Sequence, residues 1–440
     1  METPMRAPLE IALASERLDE GSAEERACFG LLTIRGQEAE LTGGIDFFVS
    51  AYRAGPLVSG YHLAKWLAYN WWRLCFEPRA ATPDWWRSHK MVAIGEGYAW
   101  PNISIFSDGL RTTLLSKPSV RPDAKPFRYI GSRPHVVPST DFQAAVDIFI
   151  SAIQARLRQE GVRETALDQL WLDVLAERRD PEQTCRRQLE ALLGRDADAI
   201  EDDAVDRLIA DAAQVGQQAV QELAAYGGQG AGLLTVADIR ETANTNGYDS
   251  SPQDAVRLSG GSLILPPPDA PAWQLGARAA RALREQEHIG DEPITDTRLT
   301  DLAGVTEQAL QGIRTNPNLS FALDQTPDNG RIALRSKWKT GRRFELARLL
   351  GERIVAPVGG SLHVATGART YRQQMQRSFA AELLSPFDAV DAMLGGDYSP
   401  EAQTDAAERF QVSDRTIATL LVNHGRVDRE ELEEDLGIAA

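Results

Sequence analysis

The residues able to hold a metal or move a proton are few and scattered. The six histidines are His62, His89, His135, His288, His363 and His424, and no two fall within four residues of each other. No helix can therefore present two imidazoles on one face. The three cysteines, Cys28, Cys75 and Cys185, form no CxxC pair, which argues for free thiols rather than a zinc ribbon or a disulfide framework. No Gly-x-Ser-x-Gly elbow occurs. Glu96, Asp108 and Lys117 could be assembled into a metal-dependent nuclease constellation, but their spacing is generic, and Asp108-Gly109 suits a hairpin turn better.

One concentration of charge stands out. Residues 331–378 hold Arg331, Arg335, Lys337, Lys339, Arg342, Arg343, Arg348, Arg353, Arg369, Arg372 and Arg377 against only Glu345 and Glu352, in a chain of net charge -16. A basic cleft there would attract an anionic partner, either nucleic acid or an acidic protein segment. Arg342, Arg343, Arg348, Glu352, Arg372 and Arg377 are the candidate binding residues. Residues 191–225, with eight acids against Arg195 and Arg207, are an internal candidate for that partner. The plainer alternative is that these arginines balance the acidic helices. Arg348 and Glu352 are one helical turn apart. They can form an ion pair, worth about 0.3–0.5 kcal/mol if exposed, or stand as two solvated charges.

These residues must be positioned by a globular scaffold. With 43% hydrophobic and 25% charged residues over 440 positions, two or three domains are expected. The acidic balance disfavours bulk binding to nucleic acid or anionic lipid. No apolar run approaches the ~20 residues of a membrane span. The opening METPMRAPLE lacks a secretory signal pattern, so the expected location is the cytoplasm.

Residues 1–25 read as polar and frayed, Cys28–Ile34 as a first strand, and Tyr61–Phe76 as one helix capped by Ser59. Six of the nine tryptophans lie between Trp66 and Trp100. They read as an aromatic-rich core rather than a ligand platform, because several share the helix's apolar stripe. Asn102–Ser107 and Arg111–Ser116 flank Asp108-Gly109 as a hairpin, and residues 141–225 read as helical. Gly227–Gly232 and Leu265–Pro268 mark boundaries. After them come a helix from Ala272, a short helix at Thr297–Ala303, a hairpin formed by Leu319–Leu323 and Arg331–Leu334, and a helix over Arg343–Ile354.

That last helix reads Arg343-Phe344-Glu345-Leu346-Ala347-Arg348-Leu349-Leu350-Gly351-Glu352. Downstream stand Phe379-Ala380-Ala381-Glu382-Leu383-Leu384-Ser385-Pro386 and then a helical pair containing Phe410-Gln411-Val412-Ser413 and Leu421-Val422-Asn423-His424-Gly425. Over about 272–427 this arrangement resembles the ImmA/IrrE family of metallopeptidases, in which a hairpin leads into a helix of the form RFxLAHExGH and an FAAELLxP block closes the domain. In such a motif two histidines at i and i+4 reach one zinc and the adjacent glutamate activates its water.

On that template Arg348 occupies the first histidine position, Leu349 the glutamate position and Glu352 the second histidine position. The third-ligand region, Tyr371–Ser378, contains neither acid nor histidine. The resemblance therefore implies a degenerate peptidase with no catalytic residue, no metal and no cofactor. The implied fold class is α+β. A zincin-like scaffold with a C-terminal helical pair spans 270–427. It is preceded by a linker over 226–269 and by a separate Trp-rich α/β unit at 26–225 with an acidic helical extension.

The expected function is binding or regulation, connected by resemblance with stress response or mobile elements, through a protein partner and without a membrane. Two alternatives remain. One is a zinc-dependent endopeptidase with an unorthodox site. The other is a DNA-binding transcriptional regulator using the helix-turn-helix-like pair at Glu401–Arg426, with Arg415, Asn423 and Arg426 as contacts.

Overall fold

A computed structural model describes residues 7–37, 40–119, 126–199, 202–259, 267, 270–311, 317–355 and 360–428. The protein is mixed α and β, with small antiparallel sheets and a majority of helix. It divides into two compact units, one formed by 1–206 with 227–232, the other by 207–226 with 233–440.

The first unit opens with β1 (Leu9–Ser15), α1 (Ala23–Ala27), β2 (Phe29–Gly36), β3 (Gly44–Asp46), β4 (Ala51–Arg53) and β5 (Leu57–Ser59). The expectation of a frayed amino-terminal stretch is corrected by β1, which pairs antiparallel with β2 and sets Ile11 opposite Ile34. Leu9 and Ile11 alternate inward, the signature of a half-buried strand. Next come α2 (Gly60–Tyr69), α3 (Trp71–Phe76) and α4 (Pro83–His89). The single helix expected over 61–76 is broken at Asn70, whose side-chain amide donates to the Trp66 carbonyl at 2.9 Å. Ser59 precedes α2 without a side-chain capping bond.

The predicted hairpin is present as β6 (Ile103–Ser107) and β7 (Arg111–Ser116), followed by β8 (Phe127–Tyr129) and β9 (Pro134–Pro138). Three helices complete this part, α5 (Ser139–Gln159), α6 (Ala166–Arg179) and α7 (Pro181–Leu192). The core joins Leu32, Ile34, Leu63, Leu67, Phe142, Phe149 and Ile153, with Trp71, Trp72, Trp100 and Trp171 buried among them. Most of the tryptophans are thus core, as expected, whereas Trp86 is exposed.

The acidic stretch forms α8 (Asp202–Val215) and α9 (Gln217–Tyr226). The division between units falls inside α8, so α9 belongs with the second unit rather than with the first. Residues 226–269 are not a plain linker. They contain α10 (Val236–Asn246), opened by a capping box between Thr235 and Asp238, and β10 (Tyr248–Ser250). Of the proline run expected as a boundary, only Pro267 lies within the described residues.

The rest of the second unit comprises α11 (Ala272–Gln286), α12 (Asp296–Ala303), α13 (Gln308–Gln311), β11 (Ser320–Asp324), β12 (Gly330–Ala333), α14 (Lys339–Val355), β13 (Leu362–Ala365), α15 (Tyr371–Leu384), α16 (Phe387–Leu394), α17 (Pro400–Phe410) and α18 (Asp414–Asn423). Its sheet has the antiparallel order β10-β12-β11-β13, with β13 at an edge. Helix α14 packs on β13 and α15, and α11 runs closely along α15. Gly276 makes that approach possible: a Cβ there would stand 2.3 Å from the Met375 carbonyl oxygen. The terminal pair is held as a unit by Phe410, Ile417, Leu420 and Leu421 in the core, by Gln411 in the left-handed conformation, and by Ser413 capping α18.

Candidate functional site

Helix α14 carries the three singled-out positions, and all three are buried. Arg348 is 8% exposed, Leu349 1% and Glu352 2%. Helix α14 is amphipathic but sits between sheet and helices, so its charged side chains from Arg342 to Arg353 face protein, whereas Lys339 at its start is exposed. Leu349 takes its place in the hydrophobic core.

Arg348 extends toward the segment joining β13 to α15. Its Nη2 donates to the Thr366 carbonyl at 2.7 Å, to Gln373 Oε1 at 2.5 Å and to Gln376 Oε1 at 3.3 Å. Burial pushes its pKa down to about 9, which still leaves the guanidinium charged at neutral pH. Both glutamines are themselves fixed. Gln373 donates to the Val364 carbonyl at 3.0 Å and accepts from the Thr366 amide at 2.7 Å. Gln376 donates to Val364 O at 3.0 Å and to Glu352 Oε2 at 2.9 Å.

Glu352 does not pair with Arg348. Its carboxylate accepts from the Nε and Nη2 of Arg372 on α15. Neither sequence expectation for positions 348 and 352 holds, because the two side chains are neither an ion pair with each other nor solvated. Gln376 lies between them and bonds to both, a polar network of the kind that fixes side-chain geometry, in which the buried Arg348 Nε is left without an acceptor.

The remaining candidate arginines are also engaged internally. Arg342 donates to the Ala309 carbonyl through Nε at 2.9 Å and Nη2 at 2.6 Å. Arg343, fully buried, bonds to Asp296 and donates to the Ile294 carbonyl at 2.6 Å. Arg377 donates to the Ala368 carbonyl at 2.9 Å, and burial lowers its pKa to about 10. The expected open basic cleft at Arg342, Arg343, Arg348, Glu352, Arg372 and Arg377 is therefore corrected. Carbonyl oxygens and carboxylates of the same unit take up these cations, since a buried guanidinium requires acceptors.

Two groups come from the acidic segment. Gln218 on α9 accepts from Arg372 Nη1, and the Thr370 hydroxyl donates to the Glu222 carboxylate at 2.8 Å. Burial raises the pKa of Glu222, opposed by the Thr370 hydroxyl and by the charge of Arg372. Beside them the Ser361 amide, just before edge strand β13, donates to the Val215 carbonyl at 3.3 Å. The edge strand of the sheet thus lies against the chain's own α9 region.

Sequence reasoning located α14 and the 371–378 stretch but missed Thr366, Thr370, Gln373, Gln376 and Glu222. A usable signal existed for some of them. Gln373 and Gln376 are spaced i, i+3 on one helix face, and Glu222 is the lone acid within Val220–Ala225.

Among the described residues no group of three or more His, Cys, Asp or Glu side chains is placed to hold a metal ion. His363, on β13, instead faces Asp324 at 3.3 Å, and Asp324 also takes Arg353. In the first unit Asp108 is occupied by its turn, accepting from the Arg111 amide at 2.8 Å and pairing with the Arg111 guanidinium. Cys28, Cys75 and Cys185 are free thiols. Of the proposed contacts on the helical pair, Arg426 is paired with Asp391, while Arg415 is exposed. Among the described residues no helix is long and apolar enough to cross a membrane. Comparison with protein-family models, with curated proteins and with solved structures finds no match to this chain in any of the three.

Proposed function

We propose that the second unit is an ImmA/IrrE-like, zincin-like scaffold that has lost its metal chemistry, and that the protein acts by binding or regulation rather than by hydrolysis. The observation that carries this reading is the buried guanidinium of Arg348. It lies where the motif would place the first imidazole, already bonded to Thr366, Gln373 and Gln376. A zinc ligand must offer a lone pair, and a guanidinium offers only donors and a positive charge.

The other two positions fit a metal no better. Leu349 cannot activate a water, and the Glu352 carboxylate is bound to Arg372 and Gln376. The residues present do not suit a zinc ion, and no reaction step is assigned to one. The packing of α9 beside edge strand β13 adds support, since that edge is where an extended peptide would add a strand. A protein partner, engaged in a stress-response or mobile-element setting, is the functional context this reading implies.

The test is a peptidase assay on the full chain, using casein and unstructured peptides with and without added zinc and a chelator. The reading expects no chelator-sensitive cleavage. Cleavage that a chelator stops and that Glu352→Ala abolishes would overturn it.

A further inference from the structure

The basic run of the second unit does not end in its interior. Arg335-Ser336-Lys337-Trp338 lies between β12 and α14, whose first residue is Lys339, and here the charges face water. Trp338 is 78% exposed, and the side chains of Arg335 and Lys339 are 59% and 56% exposed. Leaving an indole in water forgoes the stabilisation that burying it elsewhere would give.

The turn that presents the ring is built and ordered. The Ser336 hydroxyl accepts from the Trp338 amide at 3.2 Å and donates to the Trp338 carbonyl at 3.2 Å. The Ser336 amide donates to Glu345 Oε2 at 2.9 Å, and the Arg342 amide donates to the Trp338 carbonyl at 2.9 Å. Gly341 is needed for this packing, because a Cβ there would meet Ser336 Oγ at 2.0 Å. The backbone that carries the ring is fixed in this way, so a ligand need not order the turn itself.

We infer that this turn is a binding site for single-stranded nucleic acid, with one base stacked on Trp338 and the adjoining phosphates contacted by Arg335, Lys337 and Lys339. A flat π-face flanked by cations is the chemistry such strands require. Acids nearby reduce but do not cancel the charge. Lys339 touches Asp296, Arg335 lies 3.9 Å from Glu345, and Lys337 has no ion pair among the described residues. An anionic bilayer is the less favoured occupant, because Trp338 is flanked by Arg335, Ser336, Lys337, Lys339 and Thr340 and no second apolar side chain of the turn would enter the interface with it. The inference is independent of whether α14 ever held a metal.

The experiment is fluorescence anisotropy of a labelled oligothymidylate titrated with the full chain over a range of salt. With three cations engaged, the slope of log affinity against log salt should be no steeper than about -2. Trp338→Ala should weaken binding about ten-fold, Trp338→Phe much less, and Lys337→Ala should reduce the slope by about 0.7. Trp338 is exposed, so these variants should keep the parent melting temperature. Absence of binding at low salt, equal affinity for parent and Trp338→Ala, or uptake by phosphatidylserine vesicles without oligonucleotide binding would each overturn the inference.

Discussion

Glu352 is held by Arg372, twenty residues further along the chain on the neighbouring helix, and not by Arg348 one turn before it. That pairing makes Glu352 a structural residue of the α14–α15 interface. Its carboxylate is 2% exposed and has two donors, Arg372 and Gln376. Glu352→Ala leaves Arg372 without its countercharge, and removing one partner of a buried pair typically costs about 3–5 kcal/mol. Arg372 keeps some contact with water, so the expected loss is near the lower bound, about 3 kcal/mol. Urea denaturation measures it. The double variant with Arg372→Ala should lose less than the sum of the two single losses.

Glu222 predicts a pH dependence. Burial raises its pKa in the folded protein above the usual carboxylate value. The folded state therefore holds this proton to higher pH than the unfolded chain does. The group stabilises the fold most below its unfolded pKa, and stability falls as pH rises toward its folded pKa. Glu222→Gln keeps an acceptor for the Thr370 hydroxyl and removes the buried charge. The melting temperature of this variant relative to the parent should thus rise as pH increases above the usual carboxylate range. A difference that is constant or shrinks with pH is the contrary outcome.

Close helix packing gives a third expectation. The Cβ added by Gly276→Ala would meet backbone atoms of α15, Met375 O at 2.3 Å and Phe379 N at 2.7 Å. Backbone cannot rotate away, so α11 and α15 must separate, at about 1–3 kcal/mol. Gly351→Ala meets the ring of Phe379 at 2.5 Å instead. Phe379 is fully buried and the contact reaches its Cγ at 2.6 Å and its Cβ at 3.0 Å, so the ring cannot swing clear and this variant should be destabilised as well in the same denaturation assay.

The sequence made much of the scaffold legible and little of the polar interior. The hairpin at Asp108-Gly109, the second hairpin through Pro327–Gly330 and the helices from Ala272 onward follow from turn chemistry and periodicity. β1 escaped notice because only Leu9, Ile11 and Leu13 alternate before the chain becomes charged. α10 was missed although Thr235 and Asp238 spell a capping box. The fates of Arg343 and Arg348 could not be read at all. A guanidinium on a helix looks solvated until Ile294, Thr366 and the two glutamines are brought to it by tertiary packing.

The most direct measurement is the metal content of the purified full chain after incubation with zinc and exhaustive dialysis, compared with a variant in which Arg348 and Glu352 are both histidine. With position 348 occupied by a bonded guanidinium and Glu352 held by Arg372, the parent should retain no stoichiometric zinc. One equivalent of zinc in the parent, lost on Glu352→Ala, would contradict the account.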